Sequence, residues 1–216
     1  MKGIIIKDFY ESFCLKKNMH SVIFGACVIP LILFLMPSMY TFILMIVLTI
    51  PMLGISTLQY SMEQDEISGY NRILLTFPLT RKQIVGSKIV ATLILSALVD
   101  LLFMLPLTLV GVYVLKITTL QAGLFLWLLG CFVTFIMTPI YNIGFFALGN
   151  KKGTIIYILI TIFLIGQFLW LHFSVGVEAL LNLSKIKWIL ILAASALIIN
   201  AVSYLLCVKI YTKKYS

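Results

Sequence analysis

The chain has 216 residues, 62% of them hydrophobic and 11% charged, with a formal net charge of +9. Soluble domains are nearer half apolar and a quarter charged, and a water-soluble core of this size could not hide so much apolar surface. The composition therefore excludes a soluble enzyme, a nucleic-acid binder and a disordered chain.

Crossing a bilayer takes about 20 apolar residues per helix, so six crossings use about 120 residues and leave little beyond short loops. Six apolar runs are present, at about 20–36, 40–60, 89–115, 120–148, 154–173 and 188–208. All read as helices, because a helix satisfies its own backbone in lipid. The runs are continuous and do not alternate, which argues against a barrel. Met36-Pro37-Ser38-Met39 reads as a turn and Asn150-Lys151-Lys152-Gly153 as a polar break. Acidic Asp8 and Glu11 precede the first run and no A-x-A-like site follows it, so it does not read as a cleaved signal peptide. The expected fold is all-α: a polytopic membrane protein with six transmembrane helices in a single domain, 1–216.

Lysine and arginine orient the runs. Lys2, Lys7, Lys16, Lys17, Arg72, Arg81, Lys82, Lys88, Lys151, Lys152, Lys209, Lys213 and Lys214 fall on one side; Lys116, Lys185 and Lys187 fall on the other. Both termini are thus expected in the cytosol. Trp170 and Trp188 fall near outer ends, and Tyr204, Tyr211 and Tyr215 near an inner end, where interfacial aromatics gather.

Residues 1–18 do not span. Ile5, Phe9 and Phe13 recur every four residues, beside Ile6 and Tyr10, while Lys7, Asp8, Glu11 and Ser12 occupy the opposite face. This pattern predicts an amphipathic interfacial helix with its lysines near anionic headgroups, and Lys7 can pair with Glu11 at i, i+4.

The stretch 61–88 is polar and opens with Glu63, Asp65 and Glu66. Ile67, Tyr70, Leu74 and Phe77 follow at helical spacing, predicting a short amphipathic helix with acids at its positive end. Pro78 stops it, and Thr80 with Gln83 fits a capping box that starts a new helix. Arg81, Lys82 and Lys88 crowd that start, against the helix dipole, which implies an opposing negative surface.

Asp100 is the only acid well inside a run, and an intramembrane acid is a functional candidate. Gln59, Asn142, Gln167 and Asn200 are single amides in apolar runs, suited to interhelical hydrogen bonds or to lining a path. Pro30, Pro51, Pro106 and Pro139 predict kinks. His20 and His172 read as interfacial. Cys14, Cys27, Cys131 and Cys207 form no CxxC pair, and nothing points to a disulfide framework or a metal site. The chain has no GxxxxGK[ST] phosphate loop and no GxSG serine or paired intramembrane glutamates, so it does not read as an enzyme.

The loop string E-x-S-G-Y-x-R-x-x-x-T-F-P-L-T-R-K-Q-I-V-x-S-K, running from Glu66 to Lys88, together with the layout of spans, resembles the small ATP-binding-cassette type-2 permeases of low-GC bacteria. The motif carriers are Glu66, Ser68, Tyr70, Pro78, Arg81, Lys82, Ile84, Val85, Ser87 and Lys88; Phe77 and Thr80 depart mildly from the usual leucine and serine. The resemblance implies a transmembrane permease subunit of an exporter in the bacterial plasma membrane. Its partners would be a second permease copy or paralogue, membrane lipid and two cytosolic ATPase subunits that bind ATP and Mg; no nucleic acid is expected. Residues 61–88 would hold the coupling helix, with Glu63, Asp65, Glu66, Tyr70, Arg72, Arg81 and Lys82 facing the ATPase. The cargo would be amphipathic or apolar, such as a toxin or antimicrobial peptide, as for the phenol-soluble modulin exporter permeases. The competing reading is the substrate-binding membrane subunit of a vitamin importer, which lacks a large charged loop at this place.

Overall fold

The computed structural model describes residues 2–174 and 185–214. They form helices α1 (Lys2–Phe13), α2 (Lys16–Leu35), α3 (Met39–Ser68), α4 (Tyr70–Leu74), α5 (Arg81–Val114), α6 (Leu120–Ser174) and α7 (Lys185–Lys214). Among the described residues there is no strand. Five of the helices, α2, α3, α5, α6 and α7, are long and apolar enough to cross a membrane.

With 55 residues, α6 would be about 80 Å long if straight, against about 30 Å of hydrocarbon. It is not straight. Gly149 carries φ 77° and ψ −178° inside it, a conformation that costs a residue with a Cβ but not glycine. Tyr141 and Tyr157, on either side, bring their rings to 5.0 Å, which only a chain reversal allows. The polar break expected at 150–153 is instead helical; the reversal happens one residue earlier, where glycine supplies the positive φ. A Cβ on Gly153 would lie 2.6 Å from the Phe145 ring, so the two arms pack tightly just beyond the turn.

α3 runs through the middle of the bundle. Phe42, Ile43, Ile46, Ile55 and Leu58 pack there with Leu33, Met104, Leu126, Tyr141 and Phe145. Lipid is as apolar as these side chains, so their gain is close packing, not removal from water. A second cluster, comprising Ile4, Leu74, Ile84, Val85, Phe146, Cys207 and Tyr211, sits at the end that carries the thirteen basic residues named above, hereafter the basic end. Tyr211 is buried there, its ring 6.1 Å from that of Phe146, and is not the interfacial anchor expected; Tyr215 lies outside the described residues.

Pro51, Pro106 and Pro139 are absorbed in two ways. Proline offers no N–H to the carbonyl four residues earlier and its ring crowds that carbonyl. Before Pro51 and Pro106 the helix widens into π turns, at Met45–Thr49 and Asp100–Met104. Pro139 deprives the Phe135 carbonyl of its donor, and the Asn200 amide of α7 supplies one at 2.8 Å. One turn on, the Ser203 hydroxyl donates to the Pro139 carbonyl at 2.9 Å. Asn200 thus acts as interhelical glue fitted to a proline. Asn200→Leu should lower stability in detergent by about 1–3 kcal/mol, the cost of an orphaned buried carbonyl. Adding Pro139→Ala, which restores the backbone donor, should recover most of it; thermal unfolding of the two variants checks this.

Candidate functional site

Three sequence elements converge at the basic end. α1 brings Lys7, Asp8 and Glu11; the last turn of α3 brings Asp65; α5 brings Lys88 two turns after its start. The Lys7 ammonium pairs with Glu11 at 2.6 Å and also with Asp65. Lys88 pairs with Asp8 at 3.0 Å and with Asp65 on its other side, and donates to the Ser61 hydroxyl at 3.1 Å. Asp65 therefore sits between two lysines. Asp8, Asp65 and Lys88 are 2%, 0% and 3% exposed, so these three charges are largely withdrawn from water and depend on one another. Above it, the Lys7 ammonium lies 4.2 Å from the centre of the Tyr70 ring, and burial raises the Tyr70 phenol above its ordinary range. The Asn18 amide donates to the Glu11 carbonyl at 2.7 Å, fixing the corner between α1 and α2.

α1 is amphipathic as expected, and Lys7 does pair with Glu11. Its polar face, however, is turned into the protein, with Asp8, Glu11 and Ser12 buried. The face turned outward is apolar: Ile6, Phe9 and Tyr10 are 67%, 44% and 56% exposed.

The acids of 61–88 also differ from expectation. Glu63, Asp65 and Glu66 do not begin a new helix; α3 continues through Ser68 and they fall at its carboxyl end. Acids there oppose the helix dipole. The lysines offset this: Lys7 and Lys88 hold Asp65, and Lys17 reaches Glu63 at 2.6 Å. Gly69, at φ 64°, then ends α3 in a left-handed cap. The basic crowding at the start of α5 is resolved from the other side. The Arg81 guanidinium donates to the Thr212 carbonyl in the last turn of α7 at 3.1 Å, a favourable place for a cation. The capping box forms as read: Thr80 accepts from the Gln83 amide at 3.3 Å, and the Gln83 side chain accepts from the Thr80 amide at 2.9 Å.

Between the two helices, the expected single apolar face is split. Gly69 breaks its register, so Leu74 is buried in the second cluster while Ile67, Ile73, Leu75 and Phe77 remain 71%, 47%, 41% and 43% exposed. Glu66, Arg72 and Lys82 are exposed around them, and Tyr70 and Arg81 are half-buried. Of the residues expected to face a partner, Asp65 alone is fully enclosed; it holds the segment from beneath. Glu66 also borders a cleft of about 230 Å³ with Asn71, Lys88, Asn150 and Lys214.

Asp100 opens a π turn, is 2% exposed, and neither carboxyl oxygen has a hydrogen-bond partner among the described residues. The Thr134 hydroxyl facing it donates instead to the Gly130 carbonyl at 3.2 Å. Asn142 is buried with its amide unpartnered among the described residues. Gln59 is half-buried on α3 and Gln167 is exposed on α6. Among the described residues, no hydrogen bond joins any two of Asp100, Gln59, Asn142, Gln167 and Asn200.

Sequence reasoning missed Lys7, Asp8, Glu11 and Lys88 as one unit. The available signal was charge of the wrong sign at two neighbouring helix ends, with a third charged helix free to lie between them.

Lys88→Met strands buried acids, so it should cost about 3–5 kcal/mol; Lys82→Met, at an exposed position, should leave thermal unfolding in detergent unchanged. Burial also raises the Glu11 carboxyl above its ordinary value, outweighing the pull of Lys7. The folded chain then holds this proton more tightly than the unfolded chain. Glu11's contribution to stability should fall as pH rises through the raised value. A pH series of unfolding temperatures should decline less steeply for Glu11→Gln than for wild type.

A family model described as ABC-2 family transporter protein matches residues 3–212. No curated protein and no solved structure matches the chain. With several membrane-length helices and a family match over nearly all its length, the chain belongs to the ABC-2 transporter family of multi-pass membrane proteins.

Proposed function

We propose that the chain is the permease subunit of an ATP-driven exporter, and that the surface around Ile67, Ile73, Leu75 and Phe77 receives the ATPase. One observation carries this reading. Four large apolar side chains stand exposed on a short segment at the basic end, ringed by Glu66, Arg72 and Lys82, on a base fixed by buried ion pairs. Exposed apolar residues with a polar rim are the composition of a protein interface. The chain has no phosphate loop of its own, so ATP and Mg would be bound by two cytosolic ATPase subunits.

In this reading the two arms of α6 cross separately, giving six crossings with both termini in the cytosol of a bacterial cell. The excess of Lys and Arg at the basic end supports that sidedness. α1 lies on the inner leaflet, with Ile6, Phe9 and Tyr10 toward the acyl chains and Lys2, Lys16 and Lys17 among headgroups. A second permease copy or paralogue completes the pathway. The cargo is an amphipathic or apolar molecule, a peptide by the resemblance drawn above; the scarcity of charge in the spans suits it.

Ile73→Glu with Phe77→Glu should abolish co-purification of an ABC ATPase subunit from the native membrane without lowering the unfolding temperature. Retention of the ATPase by that variant would remove the surface from the account.

A further inference from the structure

Building on the reading just given, we infer that Asp8, Asp65 and Lys88 are positioning residues that make α1 a strut between the ATPase-contact segment and the membrane helices. The segment leaves α3 just after Asp65 and rejoins the bundle just before Lys88. Lys88 holds both Asp65 and Ser61, so the two ends of the segment are clamped to each other. Lys88 also holds Asp8 at 3.0 Å, and Lys7 holds Asp65 from the same helix. α1 is thereby fastened to both ends at once, through opposite partners.

Asp8, Asp65 and Lys88 are withdrawn from water, and losing the Lys88 pair would leave the buried Asp8 carboxylate only the more distant Lys7 ammonium at 3.7 Å. A push on the segment therefore moves α1, α3 and α5 as one body. The outward apolar face of α1 would carry that movement along the membrane surface. A merely anchoring helix would leave its acids in water; here Glu11 pairs with Lys7 and Asp8 with Lys88.

Hydrogen–deuterium exchange on the full chain in nanodiscs, in complex with its co-purified ATPase, tests this with and without a non-hydrolysable ATP analogue. Nucleotide should change exchange in 61–80 and in α1 together. Lys7→Met with Asp8→Leu removes both of α1's contacts to the segment ends and leaves the Asp65–Lys88 pair; it should keep the response in 61–80 and lose that in α1. Lys7→Arg with Asp8→Glu, which keeps both charges, should retain the response. A wild-type complex in which 61–80 responds and α1 does not would overturn the strut while leaving the permease reading intact, whatever the variants do. An unaltered α1 response in the variant carrying both Lys7→Met and Asp8→Leu would overturn it equally. Absence of any response in 61–80 would remove both.

Discussion

The acidic end of α3 and the lysines of α1 and α5 stabilise one another at the basic end. Acids at a helix carboxyl end oppose the dipole on their own. With α1 and α5 packed against them, Asp65 and Lys88 become the centre of a buried set of pairs. Such pairs do little for net stability compared with apolar packing, but they are costly to break singly. Their effect is geometric: they fix the direction in which the chain leaves and re-enters the membrane helices.

That fixed frame explains the exposed segment. Gly69 turns the chain out of α3, Leu74 is captured by the apolar cluster beneath, and the capping box at Thr80 starts α5. What remains facing outward is Ile67, Ile73, Leu75 and Phe77. Within the bundle, backbone groups freed by proline are treated with the same economy. Asn200 serves the carbonyl released by Pro139, and π turns make room before Pro51 and Pro106. The Asn142 side chain, by contrast, is buried with neither amide atom partnered among the described residues.

The helical class, the membrane-length runs, the turn at Met36–Ser38 and the capping box were all legible in the sequence, because each rests on local pattern or composition. The fate of charges was not. Lys7 and Glu11 lie on one face of one helix, so their pairing follows from spacing. Asp65 meets Lys7 and Lys88 only after three elements have docked, and no local period encodes that. Ile67, Tyr70, Leu74 and Phe77 share a helical spacing, yet with a left-handed glycine at 69 Leu74 is inside, Tyr70 half-buried beside it, and Ile67 and Phe77 outside. The reversal in α6 was placed at its charged residues when the backbone needed glycine. The intramembrane amides were identifiable as polar, but only packing separates Asn200, which serves a proline, from Gln167, which faces outward.

Amine footprinting of the protein in lipid nanodiscs tests the buried frame most directly. Lys82 and Lys88 stand six residues apart on one helix, yet the first is exposed and the second 3% exposed between two carboxylates. Mass spectrometry after brief acetylation should find Lys82 modified and Lys88 untouched. Equal labelling of the two would mean that Lys88 faces water, that α1 is not held against α3 and α5, and that the frame described here does not exist.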